Sequence, residues 1–251
     1  WHFDDKVAQK YLLEAIDAPL VPSYVFYDKQ EALDWAKETE YPKVFKLKGG
    51  AGSANVKLVK TYKEAKRLIN KAFGKGFAQY DRFGAFKERL RKVKEGKAGL
   101  LEILKGIGRL FITTEFAKQQ PPERGYAYFQ DFIPNNDSDI RVIVIGNKAF
   151  AIKRMVRDND FRASGSGNII FDPSAIDRRC IEIAFAVNKK ISAQSIAFDF
   201  VFNTKDEPEI VEFCYGFSAE PYDPCPGYWD SKINWHEEQF NPQEWMISKL
   251  S

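Results

Sequence analysis

Asp199 and Glu212 are the first residues whose types and spacing suggest chemistry. Each lies in a run that alternates in the period-two manner of a strand, Ile196-Ala-Phe-Asp-Phe-Val-Phe202 and Glu209-Ile-Val-Glu-Phe-Cys-Tyr-Gly216. The polar, proline-containing segment 203–208 between them reads as a hairpin loop. A loop closing symmetrically on Lys205-Asp206 sets Asp199 opposite Glu212 on one face, and Phe198, Phe200, Phe202, Val211 and Phe213 on the other. Two carboxylates about 4 Å apart repel by roughly 4 kcal/mol at an effective dielectric of 20, so such a pair usually holds a cation or a shared proton. An all-oxygen ligand pair suits magnesium or a similar hard ion. The alternative is a solvated hairpin whose polar face happens to be acidic.

A second hairpin carries arginine. Asp139-Ile-Arg-Val-Ile-Val-Ile145, a Gly146-Asn147 turn and Lys148-Ala-Phe-Ala-Ile-Lys-Arg154 give a register with Asp139 opposite Arg154 and Arg141 opposite Ile152. A structural salt bridge accounts for Asp139 with Arg154 but leaves Arg141 over. The third cluster is Lys43-Val-Phe-Lys-Leu-Lys48, a strand with Lys46 and Lys48 on one face, which runs into Gly49-Gly-Ala-Gly-Ser-Ala-Asn55. Backbone N–H groups of such a loop can converge on phosphate oxygens while the strand lysines supply counter-charge. The P-loop pattern is absent, the lysine strand precedes the loop where protein kinases have it following, and a dinucleotide fingerprint lacks its third glycine and its helix. A plain surface hairpin remains the alternative for the loop alone.

Several further elements must position these groups. The spacing predicts a helix from Asp4 or Asp5 to Ile16 with Lys6 near its start, a short strand at Tyr24–Tyr27, a helix over Lys29–Glu38, a strand at Val56–Val59 and a Thr61-capped helix to Phe73. Residues 81–109 form a basic helical insert, read as a solvated face in preference to an anion-binding one. Tyr126–Ile133 reads as a strand, 160–168 as a glycine and serine loop, and Pro173–Lys189 as an amphipathic helix. From Glu220 onward an irregular cap with a short terminal helix is expected. Within it Cys225–Asp230 reads as a packed turn more readily than as a pocket wall.

Composition sets the bounds. The 251 residues, 44% hydrophobic and 15% aromatic, suffice for folded cores. A formal charge of +3 from 38 basic and 35 acidic residues is too small to make nucleic acid or an anionic membrane the main partner. No apolar run approaches the roughly 20 residues of a membrane span. Cys180, Cys214 and Cys225 fit neither a disulfide framework nor a zinc site, which favours a reducing, cytoplasmic setting. His2 and His236 are the only histidines and lie far in sequence from the clusters above, which argues against histidine as a general base. The chain opens at Trp1 without a methionine, as expected of part of a longer protein.

Taken in order, a lysine in the first helix, a lysine strand into a glycine loop, a strand ending Gln130-Asp-Phe-Ile133, an Asp-x-Arg strand, a following arginine and an Asp…Glu hairpin resemble the ATP-grasp superfamily from Asp5 to about Gly216. The similarity is to its glutamate-ligase and biotin-carboxylase-like branches. The resemblance implies an α+β fold in which two α+β subdomains clasp ATP between antiparallel sheets. It divides the chain into an opening helix and linker (1–40), a small lid subdomain with the glycine-rich loop and basic insert (41–130), and a large subdomain with the metal site (131–251). It implies ATP and Mg2+ as cofactors, with Lys6, Lys46 and Lys48 on the phosphates, Gly50, Gly52 and Ser53 in the lid over them, and Gln130, Asp131 and Ile133 at the adenine, partly through main-chain groups. Asp137 would meet the ribose. Arg141 and Arg154 would steady the transferred phosphoryl group, Arg162 would close over the acceptor, and Asp199 and Glu212 would hold magnesium.

The implied chemistry is a ligase that activates a carboxylate as an acyl phosphate and joins it to an amine, releasing ADP and phosphate. Its partners would be small-molecule carboxylates and amines, with a preceding domain sharing in carboxylate binding. A phosphotransferase on the same scaffold and a non-catalytic nucleotide-binding module are the alternatives. Cys214 stands where the family pattern has asparagine and is a poor ligand for a hard cation. Gln130 stands where glutamate is frequent. Oligomeric state and the identity of the acceptor do not follow from the resemblance.

Overall fold

The computed structural model describes residues 5–49, 55–78, 93, 121–156, 163 and 167–248. Along the chain run α1 (Lys6–Ala15), β1 (Ser23–Phe26), α2 (Lys29–Glu38), β2 (Lys43–Lys46), β3 (Val56–Val59), α3 (Tyr62–Ala72), β4 (Ala127–Asp131), β5 (Ser138–Ile145) and β6 (Lys148–Met155). After these come β7 (Ile169–Ile170), α4 (Arg178–Ile191), β8 (Ser195–Phe202), β9 (Pro208–Cys214), β10 (Tyr228–Asp230), β11 (Trp235–His236) and α5 (Pro242–Ile247). Two compact units result, one of Trp1–Ser23 with Gln130–Ser251 and one of Tyr24–Phe129. This partition places α1 with the C-terminal half of the chain and α2 with the other unit. Among the described residues no helix is long and apolar enough to cross a membrane.

In the Tyr24–Phe129 unit the sheet order is β1-β4-β2-β3. Helices α2 and α3 begin where Asp28 and Thr61 accept from the N–H groups of Glu31 and Glu64, satisfying donors that a bare first turn leaves unpaired. Their alanine and leucine stripes bury against Phe45, Leu47, Val59 and Phe129. Trp35 lies 5.0 Å from Phe129, centroid to centroid, and ties α2 to the sheet. Strand β2 pairs antiparallel with β3, Lys46 opposite Val56.

The larger unit is built on a seven-stranded antiparallel sheet in the order β11-β10-β6-β5-β8-β9, with β7 on β6. One face, carrying Ile140, Val142, Phe198, Phe200, Ile210 and Phe213, packs on Leu13 of α1 and Ile181 and Ala184 of α4. The opposite face carries Ile143, Ile145, Phe150, Ile152 and Ala197 beneath Tyr222, Cys225 and Tyr228. Both faces are covered at this end, which is why 142–145 is an unbroken apolar run. The expected hairpin register holds: Asp139 faces Arg154, Arg141 faces Ile152 and Ile145 faces Lys148.

Three expectations are corrected. A single helix over Pro173–Lys189 gives way to a short 3-10 turn at Pro173–Ala175 and α4, because Asp177 turns out of helical geometry and accepts from the Arg179 N–H as a new cap. The tail is more regular than expected. It contributes β10 and β11 to the sheet before α5, with Cys225 and Tyr228 buried, and these strands are too short for period-two alternation to show. In the β8–β9 hairpin a bulge shifts the register between Asp199 and Phe200, so that Ile210, not Val211, sits opposite Phe200 and enters the core.

Candidate functional site

Period-two geometry collects the charged residues. Asp139 and Arg141 on β5, Arg154 on β6, Asp199 on β8 and Glu212 on β9 are cross-strand neighbours, with Arg141 opposite Asp199 and Asp199 opposite Glu212. They occupy the face that also bears Ile143 and Ala197, toward the end of the sheet away from the Gly146 turn.

Four of the five form a closed network. Arg141 forks onto Asp199, Nε to Oδ1 at 2.6 Å and Nη2 to Oδ2 at 2.7 Å. Arg154 forks onto Asp139 with both bonds at 2.6 Å and reaches Asp199 Oδ2 at 3.0 Å. Such bidentate, charge-assisted pairs are what makes burial of so many charges tolerable. Burial alone would raise the Asp199 carboxyl, but the guanidinium charges of Arg141 and Arg154 outweigh it and hold the group below the usual carboxylate range. Among the described residues Asp139 has only Arg154 as a forked partner. Burial, with the nearby Asp199 charge, pushes it up to about 6 against the pull of that arginine. Both arginines are held above their ordinary value: burial opposes this, and Asp199, joined at Arg154 by the Asp139 bond, overcomes it. Tyr222, buried at 4% exposure, lies against Arg141, and burial raises its hydroxyl.

Glu212 is different. Its side chain is 33% exposed, and Lys6 Nζ lies 3.6 Å from Oε2. The helix that brings Lys6 there starts at Asp5, whose carboxylate accepts from the Val7 and Ala8 N–H groups, and Gln9 one turn on accepts from the Phe213 N–H at 3.4 Å.

The donor set decides how a magnesium ion would fit. Both oxygens of Asp199 already meet guanidinium groups, so its carboxylate serves arginines in this arrangement. Cys214, opposite Ala197 on the same face, offers a thiol that burial pushes up and keeps protonated. Among the described residues no three His, Cys, Asp or Glu side chains gather as a metal cluster. Glu212 fits: magnesium commonly takes one or two carboxylates and completes its shell with water and phosphate oxygens.

The other expected residues fall as follows. Gln130 is 2% exposed and its side chain is turned inward, Nε2 donating to Ser23 Oγ at 3.0 Å and to the Val211 carbonyl at 3.3 Å. The Asp131 N–H donates to the Pro22 carbonyl at 2.8 Å, while Ile133 is half-buried. Asp137 is exposed, its carboxylate accepting from Ser138 Oγ and its carbonyl from the Val156 N–H. Lys46 is buried at 3% and Lys48 exposed, both in the Tyr24–Phe129 unit. The Lys48 N–H donates to the Tyr126 hydroxyl at 2.7 Å and to Glu123 Oε2 at 3.2 Å, pinning the chain where the glycine run begins. Gly50, Gly52, Ser53, Arg162 and the insert 81–109 lie outside the described residues.

Sequence reasoning missed Tyr222 and Ser23, which have no periodicity or motif to mark them. It also missed Asn136, whose side chain clasps both backbone groups of Phe202 at 2.9 Å. The five consecutive polar residues after Pro134 were the available signal for that clasp.

Comparison with known proteins agrees with this architecture. The RimK-like ATP-grasp domain model matches residues 123–218, and that of the carbamoyl-phosphate synthase L chain ATP-binding domain matches 5–98. No curated protein matches the sequence. Among solved structures, biotin carboxylase from Campylobacter jejuni in complex with β,γ-ATP is 17% identical with a TM-score of 0.54, over 87% of this chain and 41% of that one. The biotin carboxylase domain of Hydrogenobacter thermophilus 2-oxoglutarate carboxylase, with MgADP, ADP and bicarbonate, is 17% identical with a TM-score of 0.52, over 87% and 41%. The ATP-grasp ligase PsnB with its minimal precursor is 12% identical with a TM-score of 0.52, over 98% and 60%. The chain thus spans about two-fifths of the length of the carboxylases it resembles. Two models of ATP-grasp and related ATP-binding domains that between them take in most of the residues from 5 to 218, on an α+β fold shared with these enzymes, place the chain in the ATP-grasp superfamily.

Proposed function

We propose that the chain forms the nucleotide site of an ATP-dependent ligase that activates a carboxylate as an acyl phosphate and couples it to an amine. The observation that carries this reading is the pair of guanidinium groups locked side by side on one sheet face, next to a carboxylate that is not locked. Arg141 and Arg154 each spend Nε and Nη2 on carboxylates. The Nη1 groups are not spent on carboxylates, and a phosphoryl group in transfer would meet arginines that are already fixed in place. Lys6 and Lys46 would meet the nucleotide phosphates, and Gly50, Gly52 and Ser53 would cover them. Glu212 would hold a magnesium ion, which supplies charge neutralisation between the phosphates.

In the reaction a carboxylate oxygen of the substrate takes the γ-phosphoryl group as the bond to the bridging oxygen of ADP breaks. The amine nitrogen then attacks the acyl carbon, phosphate leaves with the bonding pair, and the surplus amine proton passes to solvent or phosphate. The protein's share is position and charge. Asp139 and Asp199 fix the two arginines.

Phosphorus NMR of Mg-ATP incubated with the protein and pooled carboxylates and amines tests the reading, followed by dropout of each pool. ADP and free phosphate formed only with both pools present are expected. ADP with a new phosphoester would replace the ligase by a phosphotransferase. ATP left intact although bound would replace it by a nucleotide-binding module, or by a piece that needs a further domain to turn over.

A further inference from the structure

Glu212 lies opposite Asp199 while Ile210, two residues earlier, lies opposite Phe200, and both facts hold only because Val211 is an extra residue in β9. Without that bulge a strand that buries Ile210 beneath Phe200 would carry Glu212 out of line with Asp199. The placement of the one unlocked carboxylate therefore depends on whatever stabilises the bulge.

The bulge is held from two sides. The preceding residue is clamped by main chain: the Ile210 N–H donates to the Pro19 carbonyl at 2.7 Å, and the Val21 N–H donates to the Ile210 carbonyl at 3.0 Å. Val211 itself leaves the regular ladder, and its carbonyl receives Gln130 Nε2 at 3.3 Å. The same nitrogen donates to Ser23 Oγ at 3.0 Å, and Ser23 in turn donates its proton to the Val21 carbonyl at 2.8 Å. This chain of bonds fixes the amide's orientation. A carbonyl can only accept, and Ser23 has spent its single proton, so both partners require a donor at position 130. Glutamate at this position would have none to give when ionised.

We infer that Gln130 is a positioning residue for Glu212, gripping the Val211 bulge through its amide, and that its side chain does not read the adenine. This inference rests on the nucleotide-site reading above. With the amide donors removed, Val211 relaxes toward the ladder and Glu212 rotates away from the place where it would meet a phosphate-bound cation.

The test is a double-mutant cycle read by binding. A fluorescent ATP analogue is titrated with Mg2+ onto the wild type, Gln130→Met, Glu212→Gln and the double variant, with a thermal melt of each. Gln130→Met keeps length and apolar bulk but loses both donors. It is expected to raise the half-saturating Mg2+ for nucleotide binding roughly three- to ten-fold, the worth of one or two buried hydrogen bonds, while metal-independent binding stays unchanged. In the Glu212→Gln background the same change is expected to add nothing, because the two act as one unit. Ser23→Ala, which keeps Gln130 but frees it to turn, is expected to move the Mg2+ midpoint the same way by about two-fold, and it keeps the test alive if Gln130→Met melts early.

Additive effects in the cycle would overturn the inference, as would a loss in Gln130→Met that is equal with and without Mg2+, the mark of an adenine contact. An unchanged midpoint in both Gln130→Met and Ser23→Ala would do the same. A wild-type protein that binds the analogue with no response to Mg2+ would overturn the inference together with the metal assignment of Glu212. No binding at all would take the nucleotide-site reading down with it.

Discussion

Asp199 and Glu212 face each other on adjacent strands and have the same kind of charged group, yet their surroundings differ. Asp199, 5% exposed, is gripped by two arginines through both oxygens. Glu212, 33% exposed, has a single ammonium partner at 3.6 Å. The difference comes from neighbours, not from the residues. Asp199 lies on an inner strand beside the arginine of β5, whereas Glu212 lies on β9 at the end of the sheet, approached by Lys6 of α1. In the proposed function the first is scaffold and the second is open to a ligand.

The strongest way to break this comparison is Asp199→Ala. It leaves two buried guanidinium groups short of a carboxylate, and a loss of about 3–5 kcal/mol in unfolding free energy is expected from urea titration. A loss under about 1 kcal/mol would mean that the arginines are not held by Asp199.

Next in size is a pH effect from Asp139. Its carboxyl is pushed up to about 6 from an ordinary 3.8, so between those values the folded chain keeps a proton that the unfolded chain has lost. Rising pH through that window therefore costs folded-state stability, on the order of 3 kcal/mol for a shift of this size. Asp199 has the opposite sign: its carboxyl is held low, so its contribution is present above the ordinary carboxylate range and fades as pH falls below it. Asp139→Asn is expected to flatten the melting temperature between pH 4 and 6 while the acid limb below it remains. An unaltered profile would assign the proton elsewhere.

The smallest stability effect sharpens the comparison most. Glu212→Gln removes one long ion pair at a partly exposed site, and a change within about 1 kcal/mol is expected in the same urea titration. Its Mg2+-dependent nucleotide binding should fall at least ten-fold. A variant that melts like Asp199→Ala would mean that Glu212, too, is scaffold.

Much of this was legible in the sequence because it is local. The Gly146-Asn147 turn, with alternation on both sides, specified the β5–β6 register and hence the Asp139–Arg154 pairing. Asp4 or Asp5, and Thr61, announced two helix starts by the chemistry of the cap, and the structure caps them with Asp5 and Thr61. The order of lysine strand, Asp-x-Arg strand and Asp…Glu hairpin sufficed to point to the superfamily. The β8–β9 pairing was legible only in part: Asp199 opposite Glu212 followed from counting outward from the loop, but the bulge that exchanges Ile210 for Val211 did not. Either residue satisfies the hydrophobic pattern, and the choice is made by Pro19, Val21 and Gln130, which lie 80 or more positions away in the chain.

By itself, then, the sequence determined the periodicities, caps and turn, and through them which charged side chains share a face of the larger sheet. Tertiary structure alone decided what those side chains do there. Whether a carboxylate is consumed or available depends on how many cations the neighbouring strands bring to it and how much water they exclude. It is also only in the folded chain that Gln130, expected at a nucleotide, turns inward to hold the strand that carries Glu212.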